Sequence, residues 1–443
     1  MIGQKVFHSA FGEGIVIDQR SSGMYLYVKF DRGPKLWVNA SALNILVPEL
    51  KKPTLKPKAS PLNEEALNAR KMIEAFRMGV VPYFKIEKFT FGREKELQKI
   101  FHSFENSKGG VLIIEGVYGS GKTHILDYIY CWGLKNKFGV SRTELDYFDV
   151  APYRPKHVYR ELVRNFKFKE NNKEKGFRDF LKKVSSLELP YTHPFLSPAF
   201  EILRKNEENN IFWDWIEGEE LRRENLDYLR LWKLPVLLDH TPASDIYCNL
   251  LSSYSYFLKE LGYKGLILIL DEVETLFPIW FWGKRELGFH FYKGLISIAK
   301  NDKRCLKIDL KELKLFDMVG VGKLDKYNFV HSGVRPLPYL FTKPSHLFLI
   351  LSLTPSPSYY YKKIKELVNE KEVIKLSKIS EKNFHEMFNE VVNLYKKAYF
   401  PENFDSKRIK KIYEELKEKM EDGIRLFLRT AVERLDVLRY YNE

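Results

Sequence analysis

One eight-residue stretch combines glycines, a lysine and a threonine in the spacing of a phosphate-binding loop. The stretch Gly116-Val-Tyr-Gly-Ser-Gly-Lys-Thr123 matches the pattern G-x-x-x-x-G-K-[ST]. Its glycines can adopt positive φ, which lets backbone N–H groups turn inward around phosphate oxygens. Lys122 would place its ammonium against the β- and γ-phosphates, and the Thr123 hydroxyl would bind Mg²⁺. The spacing predicts an ATP site; the alternative is a glycine-rich turn beside an incidental lysine.

We expect nucleotide contacts along the loop and into the helix that follows it. The predicted nucleotide-binding residues are Gly116, Val117, Tyr118, Gly119, Ser120, Gly121, Lys122, Thr123 and His124. A buried strand, GVLIIEG, precedes the loop, and a helix, THILDYIYCWGLKNK, follows it. The N-terminus of that helix would point its free amides and positive dipole at the same phosphates.

A second buried strand ends in two acidic residues. The sequence GLILILDEVETL places Asp271 and Glu272 at the carboxyl end of this strand, the edge at which open α/β sheets bind ligands. We predict that Asp271 holds Mg²⁺ and that Glu272 activates the water that attacks the γ-phosphate. Helix capping, to which Glu274 could belong, is the alternative. An activated water favours an ATPase over a kinase.

Other residues are weaker candidates for sensing the γ-phosphate. The strand HLFLILSLT ends at Thr354, which we predict as a sensor; a strand-ending turn is the alternative. In the helix GIRLFLRTAVERLD we predict that Arg425, rather than Arg429, reaches the nucleotide; a surface arginine is the alternative. The loop residue Arg335 could act from a neighbouring subunit. The predicted catalytic residues are Lys122, Asp271, Glu272, Thr354 and Arg425.

The elements that must position these residues follow an α/β pattern. From residue 63 to 374 helices alternate with buried strands, which implies right-handed crossovers and a mostly parallel sheet. We predict a P-loop NTPase domain over 63–374, folded as a three-layer αβα sandwich. The polar stretch 167–235 would be a mostly helical insertion. Only helical periodicity remains over 375–443, which predicts a separate C-terminal helical lid.

The N-terminal region has a pattern of short strands alone, unlike the alternating helices and strands that follow it. Residues 1–48 contain short β-branched or aromatic runs punctuated by glycines, which indicates a small β-barrel. Residues 49–62 are predicted to form a basic, proline-rich linker. Some aromatic residues of the barrel could stack nucleic-acid bases, although such residues more often fill a small core. These residues are Tyr25, Tyr27, Phe30 and Trp37.

The composition narrows the class of protein. The net charge of +15 makes nucleic acid the first partner to consider, and a solvated Lys- and Glu-rich surface is the alternative. Cys131, Cys248 and Cys305 form no CxxC pair, which fits a reducing cytoplasm. The histidines show no paired ligand spacing, so no structural metal is predicted. We find no transmembrane stretch and no signal peptide, so a cytoplasmic protein without membrane contact is expected.

Residues 64–165 and 236–275 resemble the ATP-binding proteins of BREX phage-defence systems, of the type called BrxD. The segments that carry the resemblance are RMGVVP, GREKELQKIFHSF, IIEGVYGSGKTHILDYI, FGVSRTELDYFDVAPYRPKHVYREL, LLSSYSYFLKELGYKGLILILDEVETL and GIRLFLRTAVERLD. The resemblance implies an AAA+-type ATPase that works with a helicase or a DNA-modifying partner. It places family motif positions on Gly116, Lys122, Thr123, Asp271, Glu272 and Arg425. The stretches 167–235 and 278–340 have no counterpart in it.

The N-terminal module has a resemblance of its own. VFHSAFGEGIVI followed by VKFDRGPKLWV is similar to the Tudor-like module of UvrD/PcrA helicases, which implies contact with protein or nucleic acid. Three functions therefore stay open for the chain. It would be a DNA-associated AAA+ ATPase coupled to a partner, a STAND-like switch that assembles into homo-oligomers on binding ATP, or a P-loop kinase.

Overall fold

The computed structural model describes most of the chain in two compact units. The described residues are 2–20, 24–31, 35–45, 64–188, 192–239, 242–308, 311–315, 322–333, 336–399, 404–420 and 423–441. The units are Met1–Leu62 and Asn63–Glu443. The predicted linker 49–62 and the candidate Arg335 lie outside the described residues.

The N-terminal unit is an antiparallel sheet. Its strands are β1 Lys5–His8, β2 Gly12–Arg20, β3 Tyr25–Phe30, β4 Lys35–Asn39 and β5 Leu43–Ile45. They pair in the order β4-β3-β2-β1-β5, and no pairing between β4 and β5 closes the sheet within the described strands. Alternating residues of β2 and β3 face one small core, to which β1 and β5 contribute one residue each. That core consists of Val6, Val16, Leu26, Val28, Phe30 and Leu43.

The aromatic residues of this unit divide between its core and its surface. Phe30 is 2% exposed and belongs to the core, so for this residue the core-filling interpretation applies. Tyr25 and Tyr27 lie on the opposite face of β3, where alternation places them. Tyr27 stacks on Trp37 with 5.0 Å between ring centroids, and the Arg20 guanidinium lies 4.3 Å from the Trp37 centroid. The Trp37 ring therefore already has two partners.

The second unit is built on a seven-stranded sheet. Its strands are β6 Gly110–Glu115, β7 Gly139–Glu144, β8 Lys167–Glu170, β9 Lys173–Gly176, β10 Leu266–Asp271, β14 Leu347–Leu353 and β15 Val373–Lys375. Their order is β15-β6-β14-β10-β7-β8-β9, and the first five are parallel. Strand β14 thus separates β6, which leads into the glycine-rich loop, from the acidic strand β10. A separate three-stranded sheet comprises β11 Lys314–Leu315, β12 Gly322–Leu324 and β13 Val330–Ser332.

Helices cover both faces of the large sheet. The helices of the second unit are α1 Glu64–Arg77, α2 Glu94–Glu105, α3 Lys122–Lys135, α4 Pro155–Arg164, α5 Phe177–Ser185, α6 Leu196–Lys205, α7 Asn210–Ile216, α8 Leu226–Leu231, α9 Ser244–Glu260, α10 Trp282–Ala299, α11 Tyr359–Glu366, α12 Glu381–Tyr399, α13 Ser406–Leu416 and α14 Ile424–Tyr441. Leu112 and Ile114 of β6 pack with α2 and α3, whereas Val111 and Ile113 share a core with α4, α9 and α10. The coarse prediction of an α/β fold, with a mostly parallel sheet between layers of helices, is confirmed by this arrangement.

None of the described helices has both the length and the apolar character needed to cross a bilayer.

The region 167–235 begins differently from the helical insertion that was predicted. Strands β8 and β9 form a hairpin that extends the central sheet beyond β7. The two residues at its tip, Asn171 and Asn172, have φ of 47° and 62°. Positive φ at both central positions is the requirement of a two-residue type I′ turn, and asparagine tolerates it better than most residues. The Asn-Asn pair was therefore a hairpin signal.

Helix α1 packs with the C-terminal helices rather than with the sheet. Its residues Ala69, Met72, Ile73 and Phe76 share a core with residues of α12, α13 and α14. We call α1, α12, α13 and α14 the helical bundle. Helix α1 ends where Gly79, with φ of 70°, donates from its N–H to the Phe76 carbonyl. The predicted lid, residues 375–443, therefore includes only three of the bundle's four helices, because α1 lies outside that range.

A buried ionic network joins α9 to the small sheet. His331 is 2% exposed, and its Nε2 lies 3.1 Å from Oδ2 of Asp325. Its Nδ1 lies 3.6 Å from Oδ2 of Asp245, the second residue of α9. The Asp245 carboxylate also accepts from the backbone N–H groups of Ser332 and Leu337. Burial disfavours the imidazolium, but hydrogen bonds to the two carboxylates outweigh it and raise the pKa of His331 to about 9.

This network predicts a pH dependence of stability. Because the folded-state pKa of His331 lies above its unfolded value of 6.5, its contribution is complete below that pH and is lost as the pH rises through about 9. We expect the free energy of unfolding to fall by at most about 3 kcal/mol across this interval. Denaturant titrations between pH 6.5 and 9 measure it. His331→Gln should flatten the slope, whereas His102→Gln, at an exposed site, should leave it unchanged. An unaltered slope in His331→Gln would contradict the assignment.

Candidate nucleotide-binding site

The glycine-rich loop connects β6 to α3 at the carboxyl edge of the parallel strands. Gly119 and Gly121 have φ of 77° and 89°, a region that side chains disfavour. A Cβ on Gly116 would lie 2.3 Å from Oγ of Ser120, so the loop closes tightly on itself. Helix α3 begins at Lys122, which directs its unpaired first amides toward the loop. The loop therefore has the backbone geometry that phosphate binding requires.

Lys122 links the loop to the neighbouring strand β14. It is 8% exposed, and its ammonium donates to the Gly116 carbonyl at 3.0 Å and to Oγ1 of Thr354 at 2.8 Å. The Thr354 hydroxyl in turn donates to Oε1 of Glu274. Thr354, a predicted sensor, therefore lies beside the lysine that would hold the γ-phosphate.

Asp271 lies on the other side of this lysine–threonine pair, at the end of β10. Oγ1 of Thr123 lies 3.4 Å from Oδ2 of Asp271, so one divalent ion could bind both oxygens. Oδ1 accepts from the backbone N–H of Glu272 at 3.1 Å, which fixes the carboxylate. The structure thus brings together Lys122, Thr123 and Asp271 from the loop and the acidic strand.

Glu272 occupies a strained backbone position next to the cleft. Its φ of 57° is left-handed, which is uncommon for residues other than glycine and is often found at functional sites. Burial raises the pKa of its carboxyl, and the neighbouring Glu274 and Asp271 raise it further, while Lys122 opposes them. A half-buried carboxylate with a raised pKa is a better proton acceptor than an ordinary glutamate.

A groove beside the loop provides room for a reacting group. It has a volume of about 600 Å³. Its lining residues come from the loop, the β10 end and the β14 end, and they are Tyr118, Glu272, Glu274, Phe277, Pro278, Thr354, Pro355, Ser356 and Ser358. Glu272 and Glu274 therefore share one open groove with Thr354, next to Lys122.

The remaining loop residues differ in their exposure and in their hydrogen-bond partners. Val117 and Tyr118 are 54% and 91% exposed at the loop tip. Oγ of Ser120 is buried and has no hydrogen-bond partner among the described residues. The His124 imidazole is held by Thr90 Oγ1 at 2.8 Å, and burial together with the charge of Arg93 lowers its pKa to about 4. The side chain of His124 is therefore engaged outside the loop, and only its backbone N–H is free to face a phosphate.

Two arginines at the site, the buried Arg93 and the partly buried Arg142, were missed by the sequence analysis. Arg93 is 2% exposed and donates to the Ser120 carbonyl at 2.6 Å and to the Ser377 carbonyl at 2.8 Å, so it fixes the loop backbone. Arg142 of β7 binds Asp127 of α3 and lies 3.0 Å from Oδ2 of Asp271. Arg142 had a signal, because a charged residue inside a largely buried strand must find a partner. Arg142 is the charged residue in the middle of VSRTEL.

The prediction that Arg425 reaches the nucleotide is not supported by its position. A Cβ on Gly79 would lie 2.3 Å from Cγ of Arg425, so the arginine side chain runs across Gly79, and it is exposed. Within the described residues it makes no hydrogen bond or ion pair. Arg429 is also exposed and pairs with Glu433 at 2.8 Å.

The start of α14 nevertheless contacts the loop. A Cβ on Gly423, whose φ is 96°, would lie 2.8 Å from the Gly119 carbonyl oxygen. A Cβ on Gly121 would lie 3.2 Å from Cδ1 of Ile424. The helical bundle thus touches the loop through a glycine and an isoleucine instead of an arginine.

One comparison with known proteins, a match to a family model, agrees with an ATP-binding site. The family model described as "BREX system ATP-binding protein BrxC/D" matches residues 65–186, a range that includes the loop and α3. No curated protein matches the chain. Among solved structures, the chain is similar to that of the Aeropyrum pernix ORC1 protein in complex with DNA, at 12% identity and a TM-score of 0.31. That similarity covers 79% of this chain and 62% of the ORC1 chain.

The contact between α14 and the loop predicts an asymmetry between two glycines. Gly423→Ala adds backbone strain and a clash with Gly119, whereas Gly262→Ala, at φ of 85°, adds strain alone because nothing lies within 4 Å of its Cβ position. We expect Gly423→Ala to lose about 1–3 kcal/mol more free energy of unfolding than Gly262→Ala. Chemical denaturation of both variants measures the difference. Equal losses would mean that the helix start does not press on the loop.

Proposed function

We propose that this chain is an AAA+-type ATPase that binds ATP with Mg²⁺ at the glycine-rich loop and hydrolyses it. One observation carries the proposal: Lys122 donates to Thr354 at 2.8 Å while Thr123 lies 3.4 Å from Asp271. Three strand ends, those of β6, β14 and β10, therefore contribute to one cleft. The match of residues 65–186 to an ATP-binding family supports the same reading of the loop.

The loop residues would bind and orient the triphosphate. Backbone N–H groups around Gly119 and Gly121 would surround the phosphate oxygens. Lys122 is already desolvated, so it would exchange its neutral oxygen partners for charged phosphate oxygens, which accept stronger hydrogen bonds. Thr123 and Asp271 would hold Mg²⁺, which neutralises phosphate charge when it is bound. These residues fit the ion because their oxygens already lie at adjoining positions.

Glu272 would activate the attacking water. Its carboxylate would accept a proton from that water as the oxygen attacks the γ-phosphorus, and ADP would leave. The pKa of Glu272, raised by burial and by Glu274 and Asp271, suits it to this task. Thr354, which donates to Glu274 and accepts from Lys122, would hold both side chains in place. Hydrolysis instead of transfer to a small molecule follows from the presence of this carboxylate.

The nucleotide state would be transmitted to the helical bundle. Gly423 and Ile424 rest on Gly119 and Gly121, so ordering the loop around a triphosphate would move or fix the start of α14. Arg93 forms a second link, because it joins the Ser120 carbonyl to the Ser377 carbonyl just before α12. Because the helices are tightly packed, a displacement of a few tenths of an ångström in the loop would displace them as well.

We further propose that the bundle's response is passed to DNA or to a DNA-bound protein such as a helicase, in phage defence or DNA processing. The net charge of +15 favours a polyanionic partner. A STAND-like switch is the second candidate, and the direct contact of Gly423 with the loop favours it. In that case ATP binding would release the bundle and promote assembly, with slow turnover.

Two substitutions separate the proposed roles of binding and hydrolysis. Lys122→Ala should abolish ATP binding, since it removes the charged donor to the phosphates. Glu272→Gln should keep the affinity but lower the hydrolysis rate at least about 100-fold, because the carboxylate is needed only to activate water. Equilibrium binding and steady-state phosphate release measure both. Lys135→Ala, in the same helix but exposed and paired with Glu87, is the control and should behave as wild type. Equal loss of binding in Lys122→Ala and Glu272→Gln would refute the assignments.

The partner is tested by hydrolysis rates with and without nucleic acid. We expect single- or double-stranded DNA to stimulate ATP hydrolysis several-fold, and we expect salt to weaken this effect because phosphate contacts release counterions. Mass in solution is measured in the same samples. A slow rate that DNA leaves unchanged, with ATP-dependent assembly, would select the switch. Failure of the purified chain to bind ATP would end both proposals.

A further inference from the structure

A cluster of possible metal ligands lies apart from the loop and the acidic strand. His157, Glu220 and Asp239 each offer one ligand atom, and these atoms lie within 4.8 Å of one another. His157 belongs to the first turn of α4, whereas Glu220 follows α7 and Asp239 follows α8. The residues come from three separate parts of the chain, so their spacing carried no signal in the sequence.

The imidazole of His157 is oriented as a metal ligand would be. The residue is 6% exposed, and its Nδ1 lies 2.8 Å from the Asp149 carbonyl oxygen. A carbonyl accepts, so Nδ1 carries the proton and Nε2 presents its lone pair. Nε2 is buried without a hydrogen-bond partner among the described residues. Metal-bound histidines commonly donate from the other ring nitrogen to a carbonyl in this way.

The separation of the ligand atoms fits a shared ion. His157 Nε2 lies 3.6 Å from Oδ2 of Asp239, which is too long for a hydrogen bond. Two ligands about 2.1 Å from a tetrahedral zinc ion are roughly 3.4 Å apart. An imidazole nitrogen favours zinc and its transition-metal neighbours over Mg²⁺ or Ca²⁺, which prefer oxygen alone. We propose that His157, Glu220 and Asp239 bind a divalent transition metal ion of the zinc type.

Basic side chains also face these carboxylates. Arg154 lies 3.4 Å from the same Oδ2 of Asp239. Lys156 is largely buried, and burial lowers its pKa although Asp239 and Glu220 oppose the change. The Arg154 ion pair and the nearby charge of Lys156 act on the carboxylates, but they leave the lone pair of His157 without a hydrogen-bond partner among the described residues. A metal ion satisfies all three side chains.

The ion would fasten the segment after α7 to the core of the unit. Helix α4 packs against β7 and α9, whereas Glu220 and Asp239 lie in the largely irregular stretch that flanks α8. Metal ligands drawn from both sides act as a cross-link, and the free energy of binding then adds to the free energy of folding. Three protein ligands would leave the fourth coordination position to water.

The test titrates Zn²⁺ into the full chain after treatment with a chelator. The protein is free of nucleotide, and excess Mg²⁺ occupies oxygen sites elsewhere. We expect one Zn²⁺ per chain by calorimetry and a higher midpoint of thermal unfolding. Glu220→Gln, at an exposed residue that should not disturb folding, should weaken Zn²⁺ binding at least about tenfold, and His157→Gln should weaken it further.

Glu219→Gln is the matched control. This substitution removes the same charge one residue away, at a carboxylate that pairs with Arg164 instead. The variant should bind Zn²⁺ as wild type does. The proposal is overturned if wild type binds no Zn²⁺, or if Glu220→Gln and Glu219→Gln bind it equally. The cluster would then be an ion-pair network only. None of these outcomes depends on ATP hydrolysis, so the proposal stands or falls separately from the proposed function.

Discussion

The buried ammonium of Lys122 is the charge around which the second unit is arranged. A lysine that is 8% exposed is stable only with polar partners. It finds one in its own loop, Gly116, and one at the end of β14, Thr354. This pairing requires β14 to lie directly beside β6, and β14 in turn lies beside the acidic strand β10. One desolvated charge thus depends on the strand order that also brings Asp271 and Glu272 to the loop.

Much of this site could be predicted from short contiguous stretches of the sequence. The glycine-rich loop and the Asp271–Glu272 pair are each contiguous, and each follows a run of apolar residues that marks a buried strand. Because carboxyl ends of parallel strands share one edge, their approach could be predicted. The place of Thr354 followed from the same argument. The structure places these residues in a common cleft, while their chemical roles stay predictions.

Contacts between distant parts of the chain could not be predicted in the same way. Arg93 and Arg142 act on the loop and on Asp271 through pairings that depend on which elements become neighbours. Arg425 was chosen for its position at a helix start, but the direction of its side chain is decided by packing against Gly79. The β8–β9 hairpin was missed because charged residues hid a turn signal. The ligands of the proposed metal site are spread over more than eighty residues.

The helical bundle draws its helices from both ends of the second unit. Helix α1 opens that unit, and α12, α13 and α14 close it, yet all four share one apolar core. A fragment that begins at residue 375 would therefore expose the surface that Met72, Ile73 and Phe76 cover, and it should aggregate instead of folding by itself. The reverse also holds, because removal of the C-terminal helices would leave the apolar face of α1 without its packing partners. The large sheet lies between α1 and α12 in the sequence. The bundle can therefore be inherited, exchanged or expressed only together with that sheet.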